Sequence, residues 1–179
     1  SESVAQLGDI SQTGATARTV SRQLSSGLTQ IFLQTSRARP QEMLLTALTL
    51  AVSQHTGQSM VQVALEGHGR EETIIPNSRL VRTVGWFTSL FPVTLTAQPD
   101  LSETLRSVKT TLEQIPHNGI GYGILRYLKE VSVAKQPQPE ILFNYLGTLE
   151  QLLPTNSMFR FSQPLQVSPK QTKVYSLDT

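Results

Sequence analysis

A helical run and an alternating run stand back to back in "PQEMLLTALTLAVSQHTGQSMVQVALEG", Pro40 to Gly67, and that junction restricts the fold more than any other feature of the chain. Proline is favoured in a first helical turn, and glycine closes a last turn in the left-handed conformation, so Pro40 and Gly57 bound a helix. Its apolar residues cover more than one stripe, which predicts a well-buried helix. Beyond it Val61, Val63 and Leu65 alternate with Gln62, Ala64 and Glu66, the two-residue period of a strand. The strand turns an apolar face to a core and carries Glu66 on the other face, beside a small alanine.

The remaining chain keeps alternating between the two kinds of element. Ahead of Pro40, "ATARTVSRQLS" reads as a strand and "LTQIFLQT" as a short helix, with Ser25, Ser26 and Gly27 turning between them. After Pro76 and Asn77, "RTVGWFTSLFPVTLTAQ" is apolar and β-branched, and its Gly85 and Pro92 predict a bent or bulged strand. In "DLSETLRSVKTTLEQIP", Asp100 and Glu103 fit a capping box, while Leu101, Leu105, Val108, Leu112 and Ile115 make one helical stripe ended by Pro116. A short helix carrying Leu125 and Leu128 follows a glycine-rich start in "NGIGYGILRYLKEV". "PEILFNYLG" and "TKVYSL" are further strands. Strands interleaved with helices define an α/β fold.

Composition narrows the function. A chain of 179 residues with 38% hydrophobic and 16% charged residues has the make-up of one folded globular domain or lobe. Its longest apolar stretch, Met43 to Val52, is broken by threonines and far too short to span a bilayer. The net charge of +2 comes from scattered residues without a basic run, so no nucleic-acid footprint is indicated. Cysteine is absent, and His55, His68 and His117 show no metal-ligand spacing. "GHG" and "GIGYG" lack the full fingerprint of a phosphate-binding loop, and no Gly-x-Ser-x-Gly elbow occurs. The chain begins at Ser1 rather than Met, as a piece of a longer polypeptide would.

The stretch "VALEGHGREE", Val63 to Glu72, is poorly suited to a core. Taken residue by residue, Glu66 is either a solvated strand-end carboxylate or the edge of an active site. His68 between two glycines reads as a turn residue, and Arg70 with Glu71 as a local surface ion pair. Trp86, Phe87, Phe91 and Phe143 read most simply as core. Tyr145 can bury its ring and hydrogen-bond its hydroxyl without doing chemistry.

Four segments taken together and in order carry more. "LEGHGRE" (Leu65 to Glu71), "TVGWFTSLFPV" (Thr83 to Val93), "GIGYGILRYL" (Gly119 to Leu128) and "FNYLG" (Phe143 to Gly147) resemble the C-terminal half of a nonribosomal peptide synthetase condensation-superfamily domain. The wording of the first two is most similar to the epimerization branch. The resemblance implies a lobe related to chloramphenicol acetyltransferase, one of two that enclose a tunnel. The family's His-His motif of the N-terminal lobe has no match here, and the strand and helix expected after "KVYSLDT" are also missing. Residues 1–179 are therefore expected to be a C-terminal lobe only.

For an epimerization domain the resemblance implies an aminoacyl or peptidyl thioester substrate, carried on the 4′-phosphopantetheine arm of a carrier protein. No cofactor would be bound directly. The carrier protein and the N-terminal lobe are the partners implied, with no nucleic acid, no membrane and a cytoplasmic location. Inverting the α-carbon requires proton removal on one face and proton return on the other. By resemblance Glu66 serves one side and a histidine of the other lobe serves the opposite one, with Tyr145 orienting the thioester or stabilising the enolate. His68, Arg70, Trp86 and Asn144 would support the tunnel and its rim. Two other activities fit the same family: peptide-bond formation by a condensation or dual condensation/epimerization domain, and carrier docking without turnover. By itself, a lobe lacking half of the acid–base pair is expected to be inactive.

Overall fold

In a computed structural model, residues 20, 22, 24–25, 27–30, 38–72, 74, 79–128, 138–145, 147 and 177–178 are described. Helix α1 runs Pro40–Thr56 and leads into strand β1, Met60–Gly67. Strand β2, Ser89–Thr96, is followed by helices α2, Leu101–Glu113, and α3, Gly121–Tyr127. Two short strands complete the order, β3 at Ile141–Phe143 and β4 at Leu177–Asp178.

The strands form one four-stranded mixed sheet in the order β2-β1-β3-β4. β1 and β2 are antiparallel in unbroken register from Met60 opposite Thr96 to Gly67 opposite Ser89. β3 runs parallel to β1, with Leu65 beside Phe143, and β4 runs parallel to β3. One face of the sheet carries Val61, Val63, Leu65, Phe91, Val93, Leu95 and Phe143, which close a core with Leu45 of α1 and Val108 of α2. Burying each such side chain contributes roughly 1.5–3 kcal/mol, so this face anchors the fold. Both long helices lie on it, and α3 packs against edge strand β2.

The helix ends follow the chemistry of their sequences. Gly57 closes α1 at φ 73° and donates its N–H to Ser53 O at 2.9 Å. At the other end Glu42 Oε2 accepts the Arg39 N–H at 2.9 Å, while its Oε1 takes the Arg39 guanidinium at 2.7 Å. Asp100 Oδ1 caps α2 by accepting the Glu103 N–H at 2.8 Å.

Several expectations are corrected by this arrangement. α1 buries a single face made of Glu42, Leu45, Thr46 and Thr49, while Leu44, Ala47 and Ala51 are exposed. Thr46 and Thr49 are accommodated because each hydroxyl donates to the carbonyl one turn back, at 2.7 Å. β2 has no bulge: Pro92 sits opposite Ala64 in a regular ladder, tolerated because β2 is the sheet edge. Leu101 is 63% exposed at the first turn of α2, and the buried positions there are Thr104 and Val108. Trp86 is 92% exposed and outside the core, because it lies in the connection ahead of β2 rather than in the strand. Of "ATARTVSRQLS", the described residues Val20, Arg22, Leu24 and Ser25 are in no strand; "LTQIFLQT" is described only through Gln30, in helix from residue 27. Most of "TKVYSL" lies outside the described residues, with Leu177 in β4.

Candidate active site

The face of the sheet opposite the core carries the candidate site. Strand alternation puts Glu66 there with Ala64, and the β1–β2 register sets Leu90 opposite Glu66 and Pro92 opposite Ala64. Glu66 is half-buried at the end of β1. On its other side β3 ends at Phe143, so Asn144 comes alongside, and its Nδ2 donates to Glu66 Oε2 at 2.7 Å. Among the described residues, Oε1 of the same carboxylate accepts no hydrogen bond. A carboxylate fixed through one oxygen keeps the other for a further proton or donor.

The chain beyond Glu66 is fastened at every step. A Cβ on Gly67 would lie 2.7 Å from Ser89 Oγ, and one on Gly69, which sits at φ 65°, would lie 1.6 Å from the Phe87 carbonyl oxygen. Only glycine permits that second approach. His68 Nδ1 accepts the Arg70 N–H at 3.0 Å, and its Nε2 faces Glu71 Oε1 at 3.6 Å. His68 is a turn brace on the surface, as its flanking glycines imply.

Arg70 has a role that its sequence neighbours do not announce. Its guanidinium donates to the carbonyls of Leu80, Thr83 at 2.8 Å and Gly85 at 3.1 Å, and it stacks on the Phe87 ring at 4.5 Å. No Arg70–Glu71 ion pair forms; Arg70 ties the connection ahead of β2 to the end of β1. Glu72 reinforces the tie by accepting the Val81 N–H at 3.0 Å. Trp86 and Val84, at 92% and 101% exposure, project from the connection so held.

Of the other expected site residues, Asn144 reaches Glu66 and Tyr145 does not. Tyr145 is 39% exposed and has no hydrogen bond to Glu66. Which residue of "FNYLG" touches the carboxylate depends on the β1–β3 pairing, a contact 78 residues apart in sequence that no local pattern reveals. A groove of about 490 Å³ between β2 and α3 is bordered by Ala64, Leu90 and Pro92, which share a face of the sheet with Glu66, by Phe91 of the core face, and by residues of α3; Glu66 itself is not among its lining residues. Among the described residues no cluster of His, Asp and Glu could hold a metal ion, and no helix is long and apolar enough to cross a membrane.

Comparison with known proteins identifies the family of the chain. The model of the Condensation domain family matches residues 7–179. A linear gramicidin synthase of Brevibacillus parabrevis is 44% identical over 162 residues, 84% of this chain and 2% of that protein. Bacitracin synthase 2 of Bacillus licheniformis is 49% identical over 117 residues, 64% of this chain and 4% of that protein. Among solved structures, the epimerization domain from the third module of tyrocidine synthetase B superposes with a TM-score of 0.66 at 36% identity, over 84% of this chain and 35% of that one. The chain thus spans a small part of the synthetases it matches and about a third of the solved domain.

Proposed function

The chain belongs to the condensation-domain family of nonribosomal peptide synthetases, and on that premise we propose that it is the C-terminal lobe of a two-lobed epimerization domain. The substrate is an aminoacyl or peptidyl thioester on the 4′-phosphopantetheine arm of a carrier protein. Glu66 is the group that takes the α-proton. The observation that carries this reading is the Glu66 carboxylate itself, off the core face, held by Asn144 at Oε2, with Oε1 accepting no hydrogen bond among the described residues. The 36% identity to an epimerization domain supports that branch.

In the proposed reaction Oε1 of Glu66 removes the α-proton, and the electron pair of the broken Cα–H bond moves into the thioester carbonyl. The intermediate is planar and enolate-like. A proton then returns to the opposite face of the α-carbon from an acid, a histidine of the N-terminal lobe, and Cα–H re-forms with inverted configuration. One proton leaves and one arrives, so no co-reactant is needed. Asn144, charge-assisted in its bond to the carboxylate, fixes the direction in which Oε1 points. Tyr145, next in sequence, orients the thioester. The Arg70 tie keeps both chains that leave the site in register.

Peptide-bond formation is the second reading, favoured by the name of the matched family itself. Exchange of the α-proton with solvent deuterium in the absence of an acceptor amine separates the two, because amide formation alone leaves the Cα–H bond intact.

A further inference from the structure

The groove between β2 and α3 is bordered by Ala64 and Leu90, the neighbours of Glu66 along and across the strands, and is not used by the acid–base chemistry. We infer that it is the subsite for the side chain of the residue being epimerized, and that it selects large apolar side chains. This rests on the epimerization reading of Glu66.

The placement follows from the sheet. Ala64 is two residues before Glu66 on the same face of β1, about 7 Å away along the strand. Leu90, the cross-strand partner of Glu66, lies about 5 Å away. Both border the groove, as does Pro92 opposite Ala64. Of the three other substituents of an α-carbon within reach of Glu66 Oε1, the side chain is assigned to the direction of Ala64 and Leu90, and so to the groove. The far wall is α3, which contributes Ile124 and Tyr127.

The lining explains the selectivity. Among the described residues none of those bordering the groove is charged, and the walls are mainly aliphatic and aromatic, with Gln138 among the few polar groups. A volume of about 490 Å³ is in the range of small-ligand pockets. A Lys or Asp side chain entering it would lose water without gaining a counter-charge, whereas Leu or Phe would bury apolar surface. An alanyl substrate would leave the groove unfilled.

The test is α-proton exchange into deuterated buffer by the full-length domain containing both lobes, with phenylalanyl, leucyl, alanyl and lysyl thioesters on the carrier protein. Phenylalanyl and leucyl substrates should exchange at least about tenfold faster than alanyl or lysyl ones. Ile124→Asp should reduce the phenylalanyl-over-alanyl ratio about tenfold; Ile124 is 53% exposed, so the change is compatible with folding. Ala64→Leu, which fills the floor, should lower that ratio as well. Exchange that persists with the same ratio in both variants would overturn the groove while leaving Glu66 in its role. Absence of exchange with every substrate in the unaltered domain would overturn the Glu66 reading and the groove together.

Discussion

Asn144 Nδ2 donates to Glu66 Oε2 across 2.7 Å, joining two residues 78 positions apart in sequence. The bond exists because β3 runs parallel to β1 with Phe143 beside Leu65, which brings the next residue of each strand together. A hydrogen bond to a charged group contributes about 1.5–3 kcal/mol. Asn144→Ala should therefore slow α-proton exchange by about tenfold or more. Asn144→Gln, whose amide is displaced by one methylene, should rescue little. Single-turnover rates of the full domain measure both, and unchanged rates in Asn144→Ala would remove Asn144 from the site.

The Arg70 tie makes a prediction about stability. Arg70→Lys replaces a fork that serves several carbonyls and a ring face with a point charge that cannot do the same. The loss should be about 1.5 kcal/mol or more, and amide exchange of residues 80–85 should accelerate ahead of that of β1. Equal protection in both proteins would contradict a clamp.

Two glycines should respond in opposite ways. Gly69→Ala forces a side chain into a left-handed backbone and against the Phe87 carbonyl, and should destabilise by at least about 2 kcal/mol. Gly121, at the start of α3 with open space where a Cβ would stand, should tolerate alanine and gain up to about 1 kcal/mol. Denaturant unfolding of the two variants reads both signs.

Glu42 gives the fold an acid-side sensitivity. Burial pushes its carboxyl up, but the Arg39 backbone N–H, the Arg39 guanidinium and the charge of Lys109 outweigh burial and hold it below the ordinary carboxylate range. A group depressed in the folded state adds stability above its unfolded value, and that stability is lost as pH falls through the folded one. Glu42→Gln should thus flatten the decline of stability on the acid side. Melting temperatures across that limb test it.

Local signals located the elements well and their pairing poorly. Pro40 and Gly57 bound α1 where the sequence puts them, the Asp100 cap starts α2, and alternation along β1 assigns Leu65 to the core and Glu66 to the other face. Each of these depends on neighbours within a turn or two. The start of β2 was not legible: Thr83 to Phe87 is as apolar as the strand after it, but Arg70 holds the backbone there away from the sheet through its carbonyls. For the same reason Trp86 is exposed rather than buried. The choice of Asn144 over Tyr145 as the partner of Glu66, and the groove between β2 and α3, depend on which strands and helices meet, and no short pattern encodes that.

Whether Glu66 carries a proton is tested most directly by α-proton exchange. The full domain, given a carrier-bound aminoacyl thioester in deuterated buffer and no acceptor amine, should incorporate deuterium at the α-carbon. Glu66→Gln should cut that incorporation by about two orders of magnitude or more, the loss typical of a general acid or base. Exchange that survives the substitution almost unchanged, or none at all with amide formed once an acceptor is supplied, would contradict it.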